Sequence, residues 1–144
     1  MVTTDADLKR ILQSSRVIAT VGVSTNAEKP SYWVFYYLMQ HGYDMIPVNP
    51  SAAEIHGLKV YPDLAALPRK VDVVQVFRRA EDVPPVAEGA IKIGAKVLWM
   101  QKGIVNSEAA TRAEEAGLEV VMDRCMMEAH ERLLGGIFTF ASDL

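Results

Sequence analysis

Apolar runs and polar breaks alternate along the chain with the spacing of strand–helix–strand units. Residues 16–23, "RVIATVGV", are β-rich and apolar on both faces, as a strand buried in a parallel sheet must be. The same reading predicts strands over 44–48, 58–62 ("LKVYP"), 71–77 ("VDVVQVF"), 95–101 ("AKVLWMQ") and 118–123 ("LEVVMD"). Between them fall segments of helical period at about 83–93, 106–116 and 125–134. Thr4 is placed to cap a first helix reaching about Ser14, with Asp5 and Asp7 in the turn where the helix dipole favours carboxylates. Ser31 is placed to cap a helix over 32–41, and Gly42, Gly94 and Gly117 stand where helices should stop.

Regular alternation of strand and helix implies parallel strands joined by right-handed crossovers. The expected fold is α/β: a three-layer sandwich of Rossmann type with a mostly parallel sheet of five to six strands. One domain is expected over residues 1–136, with 137–144 as a C-terminal tail. The chain has 144 residues, half of them hydrophobic and 23% charged, which suits a single globular domain with an ordinary core. A net charge of -3 disfavours a general nucleic-acid binder or a protein of anionic membranes. Cys125 is the only cysteine, which points to a reducing, cytoplasmic setting. No signal-like or membrane-spanning apolar run is evident.

In such a sheet, ligands bind beyond the carboxyl ends of the strands, where the strand order reverses. The first exit, "GVSTNAEKPS", sets Gly22, Ser24 and Ala27 at the spacings of a dinucleotide-binding glycine loop, and only the first is glycine. The second exit reads Val48-Asn49-Pro50, without the carboxylate that would hold the ribose of NAD. Asn49 suits either a ribose or adenine edge, or a turn before Pro50. Lys29, Arg78, Arg79, Lys102 and Arg124 all follow strands, which favours a phosphorylated ligand with a nucleotide head.

Four blocks in order, "VGVS…KPSYWVFYYLMQHGYDMIPVNP", "VDVVQVFRR", "GAKVLWMQKGIVN" and "VVMDRCMMEAHERL", resemble the small CoA-binding proteins. That family is related to the CoA-binding domain of the succinyl-CoA synthetase α subunit, and the resemblance spans about residues 5–134. It implies a Rossmann-like domain holding the 3′-phospho-ADP of coenzyme A. By this resemblance Gly22, Val23, Ser24 and Thr25 wrap the phosphates, with Lys29 and Ser31 adding a cation and a hydroxyl. Val48, Asn49 and Pro50 would border the adenosine, while Phe77, Arg78 and Gln101 line the rest of the groove. The cofactor implied is coenzyme A or an acyl-CoA. The partner is then this small molecule, with a homo-oligomer or a partner enzyme left open. The phosphorylated histidine of the synthetase lies in a second domain, so its activity does not carry over.

Two other readings stand beside this one: an NAD(P)-dependent oxidoreductase domain, and an acyl-CoA transferase or thioesterase using Cys125. The block Asp123-Arg124-Cys125 sets a thiol near a helix start. His130, five residues on, lies about 140° around the helix and does not share its face. Cys125 is therefore expected to be a small buried residue and no catalytic residue is assigned. His41 and His56 lack partners at metal-ligand spacing, so no metal site is expected.

Overall fold

A computed structural model describes residues 1–135; the expected tail at 137–144 lies outside them. Helix α1 (Asp5–Ser14) leads into β1 (Val17–Val21), followed by α2 (Pro30–Gln40) and β2 (Asp44–Val48). A small hairpin, β3 (Glu54–Ile55) and β4 (Leu58–Lys59), then precedes β5 (Val73–Val76). Helix α3 (Val83–Lys92), β6 (Val97–Met100), α4 (Ser107–Glu115), β7 (Glu119–Val121) and α5 (Met126–His130) complete the described chain. The main sheet has the order β2-β1-β5-β6-β7, and every neighbouring pair is parallel. The order reverses between β1 and β5, which makes their exits the expected ligand edge.

Both faces of the sheet are covered, so its strands are mainly apolar. The polar Thr20 and Gln75 are buried within it and joined by a hydrogen bond of 3.0 Å from the Thr20 hydroxyl to Gln75 Oε1. On one face Ile18, Val73, Val97, Trp99 and Val121 pack with α1, α2 and α5. On the other, Ala19, Val21, Ile46, Val74, Val76 and Leu98 pack with α3 and α4. Thr4 accepts a hydrogen bond from the Asp7 amide at 3.2 Å, as its capping position requires. The helices α2, α3 and α4 are each followed by a glycine with positive φ: Gly42, Gly94 and Gly117.

Three expectations are corrected. The segment 58–62 is no strand of the main sheet: Leu58–Lys59 pairs antiparallel with Glu54–Ile55, and Tyr61 forms one parallel bridge to Val48. His56 and Gly57 both have positive φ, the geometry of a two-residue hairpin turn, which diverts the chain before a long strand can form. Ser31 does not cap α2. Lys29 occupies that position and Pro30 opens the helix, while the Ser31 hydroxyl accepts the Ser24 amide at 2.9 Å. The last helix closes early, with a wider turn over Glu131–Gly135 after His130.

His130 is fully buried at the end of α5, with Nδ1 2.8 Å from the Tyr37 hydroxyl. The rings of His41 and Tyr43 also face it, at centroid distances of 5.1 and 5.8 Å. Burial, with the neighbouring His41 as a second cause, pushes the His130 pKa down to about 4 from 6.5. Between those values the unfolded chain binds a proton that the folded chain refuses. The contribution of His130 to stability is thus complete above about pH 6.5 and declines as pH falls towards 4, by at most about 1.4 kcal/mol per pH unit. Urea unfolding of wild type and His130→Gln at pH 7, 6 and 5 tests this. The wild type should lose more stability on acidification than the variant, and parallel pH profiles would contradict the assignment.

Candidate functional site

The exits of β1 and β5 touch closely. Gly22 turns away from the sheet with φ +89°, and a Cβ built there would lie 2.2 Å from the Phe77 carbonyl oxygen. No side chain fits that space, and the left-handed backbone adds its own cost for any residue but glycine. The contact is held on both sides: the Gly22 amide donates to Val48 O at 2.9 Å, and the Phe77 amide donates to Val21 O at 2.8 Å. The three exits at the switch point are therefore tied into one edge.

Asn49 fastens this edge further. Its Nδ2 donates to Val23 O at 2.8 Å and its Oδ1 accepts the Ser51 amide at 2.8 Å. Both ends of the side-chain amide are thus engaged in positioning loops, the turn role admitted by its place before Pro50. The β1 loop is organised from within as well. Ser24 Oγ accepts the Asn26 amide at 3.0 Å, and the Trp33 indole donates to Ala27 O at 2.6 Å. This is why the loop holds its shape with a single glycine at the motif positions.

Two depressions meet at the switch point. The first, of about 610 Å³, lies towards β6 and β7 and is lined by Gly22, Ser24, Lys29, Ser31, Phe77 and Gln101. Trp33, Lys102, Ile104, Cys125, Met127 and Glu128 also stand in its wall. The second, of about 780 Å³, lies towards β2 and α3 and includes Val21, Val48, Pro50, Leu64, Arg78 and Val86. Nine of the twelve expected binding residues therefore line one groove or the other. The three that do not are Val23, whose side chain is buried, Thr25, which is exposed, and Asn49, which is occupied as described.

The basic residues at the strand exits do not act alike. Arg79 pairs with Glu81 and Asp82, both at 3.4 Å, and Lys102 pairs with Glu128 at 3.2 Å across the first groove. Arg124 reaches the Thr3 carbonyl at 3.4 Å. Lys29 and Arg78 have no ion-pair partner among the described residues, and each lines a different groove. Two uncompensated cations flank the tied edge. Such a surface suits an extended ligand carrying phosphates.

Gln101 is 6% exposed and hangs over the first groove from the end of β6. Its Oε1 accepts the Met126 amide at 3.4 Å, which ties the β6 exit to the start of α5. Cys125 lines the same groove, while His130 sits at the far end of α5 with Tyr37. The two residues have separate surroundings, as their helical spacing implies.

Residues 16–131 match the CoA binding domain family. The chain belongs to that family. It is 42% identical over 125 residues to the uncharacterized protein YneT of Bacillus subtilis, covering 87% of this chain and 93% of that one. A hypothetical protein of Pyrococcus horikoshii OT3 superposes with a TM-score of 0.90 at 46% identity, over 92% of this chain and 94% of the other. An ADP-forming acetate–CoA ligase II of Archaeoglobus fulgidus is 33% identical over 81 residues, which is 55% of this chain and 12% of the ligase. The chain thus corresponds to a small part of that much larger relative.

A Cβ at position 22 would meet the protein's own backbone before any ligand. Gly22→Val should therefore be destabilised by more than the roughly 1–2 kcal/mol of its left-handed backbone alone, read as a lowered urea midpoint. A Gly22→Val protein as stable as wild type would show that the β1 and β5 exits are not locked together.

Proposed function

We propose that the protein binds coenzyme A, or an acyl-CoA, across the β1/β5 switch point as a stand-alone CoA-binding module. The observation that carries this reading is the pair of strand-exit cations without ion-pair partners among the described residues, Lys29 in one groove and Arg78 in the other, on either side of Gly22. A ligand with an internal pyrophosphate and a further phosphate on its ribose presents two anionic centres to match them. The adenosine belongs in the groove of Val48 and Pro50, where apolar walls and Arg78 stand together. Arg78 then meets the 3′-phosphate, which is attached to that ribose. The pyrophosphate crosses near Ser24, Lys29 and Ser31, and the pantetheine arm continues towards Gln101.

No observation favours a nicotinamide dinucleotide. The exit of β2 offers Asn49 with both amide ends engaged, so a ribose diol finds no carboxylate acceptor there. A cytoplasmic setting accords with the single thiol. Chemistry on the acyl group would come from a partner enzyme, since the matching segment of the acetate–CoA ligase is a fraction of that protein.

Calorimetry tests the reading directly. Coenzyme A should bind at least about tenfold more tightly than NAD, about 1.4 kcal/mol, and NAD binding equal to or tighter than CoA would overturn it. Dephospho-CoA should bind more weakly than CoA in wild type. Arg78→Ala should weaken CoA by roughly tenfold or more, as loss of a charge-assisted hydrogen bond does, while changing dephospho-CoA affinity little. Unchanged discrimination in that variant would place the 3′-phosphate on another residue.

A further inference from the structure

The first groove continues past the phosphate end to a thiol. Cys125 is 8% exposed, and the surface it keeps lies on this groove and on the adjoining depression beside Lys102 and Arg124. A second feature of the same place points to a ligand. Gln101 is more than nine-tenths buried, and while its Oε1 accepts the Met126 amide, its Nε2 donates to nothing among the described residues and opens on the groove. An amide donor held at the wall of the groove with no protein acceptor, and still open to solvent, is placed to donate to a carbonyl of a bound ligand. Because Met126 directly follows Cys125, the bond to Oε1 also keeps the Gln101 amide beside the cysteine backbone. A donor for an amide carbonyl and a thiol therefore stand together at the end of the groove.

We propose that Gln101 receives an amide carbonyl of the pantetheine arm and that Cys125 receives its sulfur, capturing oxidised ligand as a mixed disulfide. This inference rests on the CoA reading above. The co-reactant is the symmetrical disulfide of the ligand thiol. The Cys125 thiolate attacks one sulfur of that disulfide, the S–S bond breaks, and a new bond forms between Sγ and the attacked sulfur. The second ligand molecule leaves as a thiolate and takes up the proton that Cys125 lost, so no external oxidant or reductant enters. A thiol that meets solvent chiefly through a ligand groove is shielded from disulfides at large and exposed to those the nucleotide head brings in. Docking the head converts the exchange into a reaction within one complex and raises the effective concentration of the reacting sulfur.

Intact-protein mass spectrometry provides the test, with wild-type protein and either CoA disulfide or pantethine, which has the same reacting end and no nucleotide. The expected adduct weighs one CoA less two hydrogens. It should form at least about tenfold faster with CoA disulfide than the corresponding pantethine adduct, and excess adenosine 3′,5′-bisphosphate should remove that advantage. No adduct, equal rates for the two disulfides, or no effect of the competitor would overturn the inference. Calorimetry with reduced CoA in the presence of a phosphine reductant separates the two readings. Binding there alongside a failed capture sinks only the capture, whereas no binding sinks the CoA reading and the capture together.

Discussion

The arrangement of the ligand edge depends on one close approach, that of Gly22 to the carbonyl of Phe77. At 2.2 Å from a would-be Cβ, this contact admits a bare backbone and nothing larger. It joins the exits of β1 and β5, the two strands at which the sheet order reverses. Because Gly22 also donates to Val48 O, the exit of β2 is drawn into the same junction. Phe77 and Arg78 follow directly, and they line different grooves. A ligand that occupied both grooves would therefore have to cross this tight junction.

Electrostatics then select among ligands. Exposed ion pairs contribute little to stability, yet they decide which cations remain open to a ligand. Arg79 is turned back onto the acidic turn that follows it, and Lys102 is matched by Glu128 from α5. Lys29 and Arg78 are left facing the grooves without such partners among the described residues. Two cations on either side of this backbone junction accord with a ligand whose phosphates are spaced along its length. The absence of a carboxylate at Asn49 works in the same direction by removing the acceptor that a dinucleotide ribose needs.

Much of the fold was legible because strands covered on both faces must be mainly apolar, and 17–21, 44–48, 73–76, 97–100 and 119–121 are so. Thr20 and Gln75 are the buried polar exceptions, and Asp44 and Glu119 stand at strand starts. The segment 58–62 shows the limit of that signal. It is apolar enough for a strand, but the turn at His56-Gly57 commits it to a local hairpin. Ser31 shows another: the residue type suits a cap, yet Pro30 takes the first helical position and frees the hydroxyl for Ser24. At the site, Gly22, Lys29 and Arg78 could be named from their places at strand exits, and Gln101 from the family resemblance. That Lys102 would be neutralised by Glu128, 26 residues away, is a tertiary fact with no local trace. The grooves' division of the expected residues into two sets likewise follows from strand order, which a linear reading does not supply.

The central claim is that one ligand spans both grooves across the Gly22 junction. Backbone amide chemical shifts of the labelled protein, recorded by NMR while CoA is added, test it most directly. The account predicts shifts at Arg78 and Ser51 on the adenosine side together with Gln101, Lys102 and Cys125 on the thiol side. It also predicts that adenosine 3′,5′-bisphosphate moves mainly the first set. Shifts confined to one groove with full-length CoA, or centred away from the exits of β1 and β5, would contradict the account.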